Sequence, residues 1–303
     1  MPELPEVESV RVGLQQWLLQ EPTRIASVRV LDPRILGTTS QRTVPSGAAE
    51  FFSSRLVGAE PLSVERRGKF MWLPVRLADG DVTSALSVHL GMSGQFRVHT
   101  GSDALHPHTR AVFDVERASG EPFELRFVDQ RIFGHLGVDA LVPSYGYAVP
   151  SGAAHIALDP LDPAFDGEAV ARALGRKRTG MKAALLDQTL VSGIGNIYAD
   201  EALHAAGVHP LAPTATTRIS RVRRVLEAAR EVMELSLSQG GTSFDALYVN
   251  VNGESGYFAR SLQVYGRTGR PCRTCGTPIE RLTVAGRSSH VCPRCQKRPR
   301  RRL

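Results

Sequence analysis

Four cysteines near the C-terminal end constrain this chain more than any other feature. They read Cys272-x2-Cys275 and Cys292-x2-Cys295, with sixteen residues between the pairs. Two such knuckles can wrap one tetrahedral Zn²⁺ with four thiolates. A site whose four positions are all filled by protein sulfur is structural rather than catalytic. Two disulfides, or unrelated buried thiols, are the competing readings. Residues 265–303 hold eleven Lys and Arg against one acid, Glu280, while the other 264 residues hold 26 basic and 29 acidic side chains. The positive excess of the whole chain therefore sits on this segment, and a metal-pinned element of that charge suits phosphates. The run from Lys297 to Arg302 is either a solvated end or a non-specific phosphate contact.

At 303 residues there is room for two domains and a finger. No run of 18 or more apolar residues occurs, and no basic segment followed by an apolar one opens the chain. A cytoplasmic protein with no membrane partner is the expectation, in a compartment that keeps thiols reduced. A monomer is expected.

Residues 3–19 read as a helix, with Val7, Val10, Leu14, Trp17 and Leu18 on one face and Pro5 in the first turn. Strand patterns follow at 25–31, 62–66, 69–77, 82–90, 94–99, 111–116 and 122–128, the spacing of a sandwich or barrel. Residues 143–163 carry Pro143, Pro150, Pro160 and Pro163 and read as a linker. The expected division is therefore 1–142, a linker at 143–163, a helical domain at 164–264 and the finger with its basic tail at 265–303. Within the helical domain the spacing predicts helices over Met181–Gln188, Ile197–Ala206 and Ile219–Ser238. Ile219, Val222, Leu226, Ala229 and Met233 form the apolar face of the last. Asn196 stands at an N-cap position and Gly207 at a C′ position. Residues 240–257 are polar and Gly-rich and read as a mobile loop. Two helices joined by the turns of Val191–Asn196 can present free N–H groups to an anion, or can be an ordinary helical corner.

The first residues, Met1-Pro2-Glu3-Leu4-Pro5-Glu6, also have two readings. Pro and Glu suit the first turn of a helix. Alternatively, removal of Met1 would leave Pro2 with a free secondary amine, partly unprotonated near neutral pH and able to attack a sugar carbon as a nucleophile. Glu3 and Glu6 could then move protons and hold a cationic intermediate.

Five segments taken together resolve these choices. MPELPEVE at 1–8, His89–Gly94 (HLGMSG), Asp129–Gly134 (DQRIFG), Leu186–Glu201 (LDQTLVSGIGNIYADE) and the four-cysteine finger occur in the order found in bacterial formamidopyrimidine-DNA glycosylases, which the chain resembles from residue 1 to about 296. The resemblance implies an α+β fold: an N-terminal β-sandwich flanked by helices, then a helix-two-turn-helix domain with a zinc finger. It implies a base-excision repair enzyme acting on duplex DNA with oxidised purines opposite cytosine, both glycosylase and AP lyase. Zn²⁺, one per chain and structural, is the implied metal.

Site residues follow from the same resemblance. Pro2 resembles the Schiff-base nucleophile and Glu3 the acid that assists opening of the deoxyribose. Lys69 resembles the lysine that contacts the lesion phosphate and donates a proton in β-elimination. Arg287, between the knuckles, resembles the finger arginine that grips phosphates and aids δ-elimination. Met92, Arg131 and Phe133 resemble the trio that fills the hole left by a flipped nucleotide and meets the orphaned cytosine. His106, Arg131 and Arg178 match DNA-contact positions, and Asn196 is expected to meet the DNA from the start of its helix. Two residues depart from the family pattern: Ile132, where a basic or hydroxyl side chain is common, and His290, where the finger hairpin usually carries an aromatic. Packing is expected for His290 because four thiolates already satisfy the metal.

Two rivals stand beside this reading. A related endonuclease for oxidised pyrimidines shares the proline, the two-turn motif and the finger. The PELPEVE start and the Met92, Arg131, Phe133 set favour the purine enzyme. A zinc-finger DNA-binding protein without catalysis is the rival from another class.

Overall fold

The structure is a computed structural model that describes residues 2–37, 43–240 and 261–299. Those residues form two compact units. One holds Pro2 and Glu6–His155, and the other holds Glu3–Pro5, 156–240 and 261–299. The expected loop at 240–257 lies outside the described residues, apart from Gly240.

The first unit is two sheets around one core. Strands β1 (Thr23–Val30), β6 (Gly94–His99), β7 (Thr109–Arg117) and β8 (Pro122–Asp129) form a four-stranded sheet in the order β1-β7-β8-β6. The second sheet contains β2 (Glu60–Pro61), β3 (Glu65–Arg67), β4 (Phe70–Arg76), β5 (Ser84–His89), β9 (His135–Ser144) and β10 (Tyr147–Pro150). Its order is β10-β9-β5-β4-β2, with β3 also paired to β4. Alternate residues of both sheets point into the same apolar cluster: Val28, Phe113 and Phe127 from one, Met71, Val88 and Leu136 from the other. Helix α1 (Leu4–Leu19) adds Val7, Val10, Leu14 and Leu18, the 3.6-residue stripe visible in the sequence. Helix α2 (Ala48–Leu56) adds Phe52 and Leu56. The strand patterns agree with the observed strands to within a few residues. The stretch between 60 and 67 is divided into two short strands on β4, and β9 and β10 match none of the strand patterns, β10 falling within the stretch that reads as a linker.

The second unit is helical. Asp166 caps α3 (Gly167–Gly175) by accepting from the N–H groups of Glu168 and Ala169. Helix α4 (Met181–Leu185) is three residues shorter than the pattern suggests, because Asp187–Leu190 turns back on itself. Helices α5 (Asn196–Ala205) and α6 (Ile219–Ser238) share a core in which Tyr198, Leu203, Val222, Leu226 and Met233 are buried. The Tyr198 hydroxyl and Ser236 Oγ meet at 2.6 Å across that pair. Ile219 is exposed, and Val225 takes the inward position expected of it. The finger contributes one hairpin, β11 (Glu280–Val284) and β12 (Arg287–Val291). No helix among the described residues is long and apolar enough to cross a membrane.

Candidate functional site

In the first unit the candidate residues gather at one end of the six-stranded sheet. Lys69 lies in the tight turn from β3 to β4, next to Gly68 at φ 58°. Met92 lies in the turn that leaves β5, and Arg131 and Phe133 lie in the loop that enters β9. Phe70 pairs with His89, and His89 with His135, so all three segments leave the sheet at the same level. The two loops touch backbone to backbone. A Cβ on Gly91 would fall 2.3 Å from the carbonyl carbon of Phe133, so only glycine permits the approach.

Asp129 shapes the second loop. Its fully buried carboxylate accepts from the N–H groups of Arg131 (3.1 Å), Ile132 (3.1 Å) and Gly134 (2.7 Å), and from Ser93 Oγ (2.5 Å) of the Met92 turn. One side chain thus ties the Arg131–Phe133 loop to the Met92 turn. Ile132 sits at φ 53°, a left-handed conformation that β-branched residues rarely adopt. Arg131 is exposed, and its guanidinium lies 4.9 Å from the centroid of the Phe133 ring. Met92 is 38% exposed and is not a core side chain. His106 lies in the turn before β7, its ring 5.4 Å from that of His108. Burial, with help from Arg97, His108 and Arg110, lowers its pKa. Pro2 is buried in the described structure.

The Lys69 turn is braced from β3. Arg66 donates to Glu8 of α1 at 2.9 Å. Arg67, 2% exposed, donates to Ser144 and lies over the rings of Tyr145 and Tyr147 at 5.3 and 5.6 Å. Glu8 is held below the usual carboxylate range: burial opposes the shift, and Arg11 and Arg66 outweigh it.

In the second unit α5 organises the site. Its first turn receives Glu3, whose carboxylate accepts from the N–H groups of Gly195 (2.8 Å), Ile197 (2.8 Å) and Tyr198 (3.2 Å). These are orphan donors of a helix N-terminus, so Glu3 fills the role that the sequence suggests for Asn196. Asn196 is instead the first helical residue and Gly195 the cap. The space is made by glycine: a Cβ on Gly195 would lie 2.2 Å from Glu3 Cδ, and one on Gly193 (φ 85°) would lie 2.5 Å from Leu4. The Gly-Ile-Gly spacing is thus the imprint of the N-terminal segment on the two-turn motif.

The other end of α5 holds the finger. Buried Asp200 accepts from Lys182 Nζ (2.7 Å), Ser289 Oγ (2.7 Å) and the N–H of His290 (2.7 Å). Lys182 also donates to the carbonyl of Ser288 at 2.9 Å. Burial lowers the Lys182 pKa, Asp200 opposes that, and both Glu3 and Arg287 lie within its electrostatic reach. Glu201 accepts from the N–H groups of Gln263, Val264 and Tyr265, while burial pushes its carboxyl up. None of Asp129, Lys182, Asp200 or Glu201 was singled out by sequence. Asp129 had a signal, an Asp two residues ahead of a glycine-punctuated loop. The others look like ordinary charges of a helix surface.

The four cysteine sulfurs lie within 4.8 Å of one another. Cys272–Cys295 is 4.0 Å, Cys275–Cys292 3.4 Å and Cys275–Cys295 3.5 Å. A tetrahedral ion with Zn–S bonds of about 2.3 Å needs sulfurs about 3.8 Å apart, so the set fits one structural Zn²⁺. His290 packs, as expected: its ring lies 4.7 Å from Tyr265 and its Nδ1 3.2 Å from Asp200. His204 of α5 places Nε2 3.6 Å from Cys272 Sγ, an outer partner for a metal-bound thiolate. Arg287 is exposed at the start of β12, after a two-residue turn in which Ala285 and Gly286 both have positive φ. Arg178 is exposed in the loop between α3 and α4.

Three protein families match along the chain. They are the formamidopyrimidine-DNA glycosylase N-terminal domain at residues 1–136, the formamidopyrimidine-DNA glycosylase H2TH domain at 156–246, and a zinc finger found in FPG and IleRS at 269–298. A formamidopyrimidine-DNA glycosylase of Thermobifida fusca is 53% identical over 99% of both chains. One of Salinispora arenicola is 52% identical over 100% of this chain and 99% of its own. Among solved structures, a mutant Lactococcus lactis FPG in complex with a Fapy-dG containing DNA superimposes with a TM-score of 0.81. It is 29% identical and covers 98% of this chain and 100% of its own.

Proposed function

The chain belongs to the formamidopyrimidine-DNA glycosylase family, and from that premise we propose how its residues divide the work of excising oxidised purines from duplex DNA. Pro2 attacks C1′ of the damaged nucleotide through its secondary amine. The N–C1′ bond forms as the glycosidic bond breaks, and the base leaves with a proton. Glu3 assists opening of the deoxyribose and then faces the iminium cation as a carboxylate. Lys69 meets the lesion phosphate and supplies the proton of β-elimination. Arg287 holds the neighbouring phosphates through δ-elimination. Arg178, His106 and Asn196 add contacts to the DNA. The zinc keeps the finger folded and takes no part in the chemistry.

Glu3 carries the reading. A surface glutamate in a first helical turn needs no receptor, yet here Gly195 clears space for its carboxylate and three backbone N–H groups fix it. That is the preorganisation expected of a group next to a nucleophile rather than of helix capping alone. Base recognition is assigned to Met92, Phe133 and Arg131. The first two fill and stack in the vacated hole, while the guanidinium donates to O2 and N3 of the orphaned cytosine. Adenine would present its N6 amino group to the same donors. Unpaired buried donors cost ~1–3 kcal/mol, so lesions opposite adenine should be cut about one to two orders of magnitude more slowly. The reading goes with a monomer in the bacterial cytoplasm.

The test is incision of duplexes holding 8-oxoguanine opposite cytosine, 8-oxoguanine opposite adenine, or an oxidised pyrimidine. Preference for the first, flattened between cytosine and adenine in Arg131→Ala, supports the assignment. Preference for the pyrimidine lesion would transfer the chain to the related endonuclease reading. An intact cytosine/adenine ratio in the variant would move discrimination to another residue.

A further inference from the structure

At the recognition end of the six-stranded sheet three rings share one level. Phe70 and His89 are 5.2 Å apart and tilted, Phe70 and His135 are 5.7 Å apart and edge-on, and His89 and His135 stack at 5.2 Å with their planes 9° from parallel. Each ring adjoins a segment already described. Phe70 follows Lys69, His89 precedes the Met92 turn, and His135 follows Phe133 and Gly134. His89 Nδ1 accepts from the N–H of Gly91 at 3.1 Å, which fixes its ring to the Met92 turn and its proton to Nε2. His135 Nδ1 is sealed from solvent with no hydrogen-bond partner among the described residues. An imidazole that leaves a buried nitrogen unpaired is used here for its flat face rather than for hydrogen bonding through that atom.

Both rings are suited to stacking as neutral groups. Burial, then His135 and Lys69, pushes the His89 pKa down to about 3. Burial also lowers His135, with Asp139 opposing. The stack bridges the strands that carry the two loops, at the point where Gly91 and Phe133 meet backbone to backbone. Removing the His135 ring would leave a void beside His89, and the Met92 turn would lose its support on that side.

We propose that His135 is a positioning residue for base recognition: stacked on His89, it holds the Met92 turn and the Phe133 loop as one preformed wedge. The proposal deepens the functional reading and rests on it, since it takes Met92 and Phe133 to be the side chains that enter the DNA. The covalent chemistry needs Pro2 and not the wedge, which separates the two claims.

The experiment compares His135→Ala and His135→Phe with the unmodified protein on two substrates. The first is a duplex with 8-oxoguanine opposite cytosine and 2-aminopurine beside the lesion, whose fluorescence rises as its neighbour is unstacked. The second is a single-stranded abasic oligonucleotide, which has no orphan base and no hole to fill, trapped with borohydride. For His135→Ala the fluorescence step should slow by about tenfold. KM for the duplex should rise about tenfold with kcat within about twofold, and single-strand trapping should be unchanged. His135→Phe, which keeps a flat ring, should restore the fluorescence step and KM. A normal fluorescence step in His135→Ala overturns the proposal, as does equal loss in the Ala and Phe variants. Failure of the unmodified protein to trap the abasic strand would instead overturn the reading of Pro2 beneath it.

Discussion

Asp129 in the first unit and Glu3 in the second are both buried carboxylates that accept three backbone N–H groups, yet they are used in opposite ways. Around Asp129 the carboxylate is the tool and the loop is the product: its bonds shape Arg131–Gly134 and set Arg131 and Phe133 at the surface. Around Glu3 the helix N-terminus is the tool and the carboxylate is the product. The donors of α5 would be solvated or capped in any helix, and here they fix a reactive group. Glu201 repeats the first use, gathering the N–H groups of 263–265. The comparison shows that carboxylate–amide clusters alone do not mark a catalytic acid. What separates Glu3 is the glycine clearance around its side chain and its place beside Pro2 in the sequence.

Removing the tool in the first unit should have the largest effect. Asp129→Ala takes the acceptor from the N–H groups of Ile132, part-buried, and Gly134, fully buried, while that of Arg131 keeps Ser93 Oγ at 3.2 Å. At ~1–3 kcal/mol for each buried orphan, a loss of about 2 kcal/mol or more is expected in urea unfolding. Glu3→Gln keeps an acceptor oxygen on the helix and should lose incision while changing unfolding little. If the two variants behave alike, the contrast between shaping and being shaped is false.

Gly195→Ala tests the clearance around Glu3. The methyl would overlap the carboxylate, and a displacement of about 1 Å at a catalytic group costs on the order of 10²-fold. Single-turnover incision should fall by about that factor, with DNA affinity in a gel-shift titration nearly unchanged. Unaltered incision would show that Glu3 need not sit where α5 holds it.

A pH effect separates the units next. His89 titrates near 6.5 when unfolded and at about 3 when folded, so between those values the unfolded chain binds the extra proton. Stability of the first unit should therefore fall as pH drops from about 6.5 to 3, by up to about 1.4 kcal/mol per pH unit from this group. Thermal melts of His89→Asn, which keeps an acceptor for Gly91, should show a shallower decline than the unmodified protein. Parallel declines would mean that the imidazole is charged in the fold.

The smallest expected change is in the finger. Ala285 occupies a left-handed position in a two-residue hairpin turn that favours Asn-Gly. Ala285→Asn should stabilise the hairpin by less than about 1 kcal/mol. A slower release of zinc to a chelator would register it, and faster release would count against the turn assignment.

Much of this was legible in the residues. Helix α6 runs over the stretch its pattern marks, because an apolar stripe on a twenty-residue helix leaves little choice. The cysteine set follows from spacing alone. Helix α2 was not legible: only Phe52 and Leu56 face inward, and Phe51 is 63% exposed, so the periodicity is too weak to see. Asn196 has the look of a cap in sequence because the true acceptor, Glu3, is 192 residues away from Gly195. Lys182 and Asp200 look like surface charges in sequence, and only tertiary packing buries them as a pair. Long-range partners of charged groups leave no local signature in the sequence.

The most direct measurement maps the covalent bond. The protein is reacted with a duplex holding 8-oxoguanine opposite cytosine in the presence of borohydride, digested, and its adducted peptide identified by mass spectrometry. The adduct should sit on the N-terminal peptide beginning at Pro2, with Met1 absent. An adduct on the peptide containing Lys69, or no adduct from protein that still cuts the strand, would contradict the account.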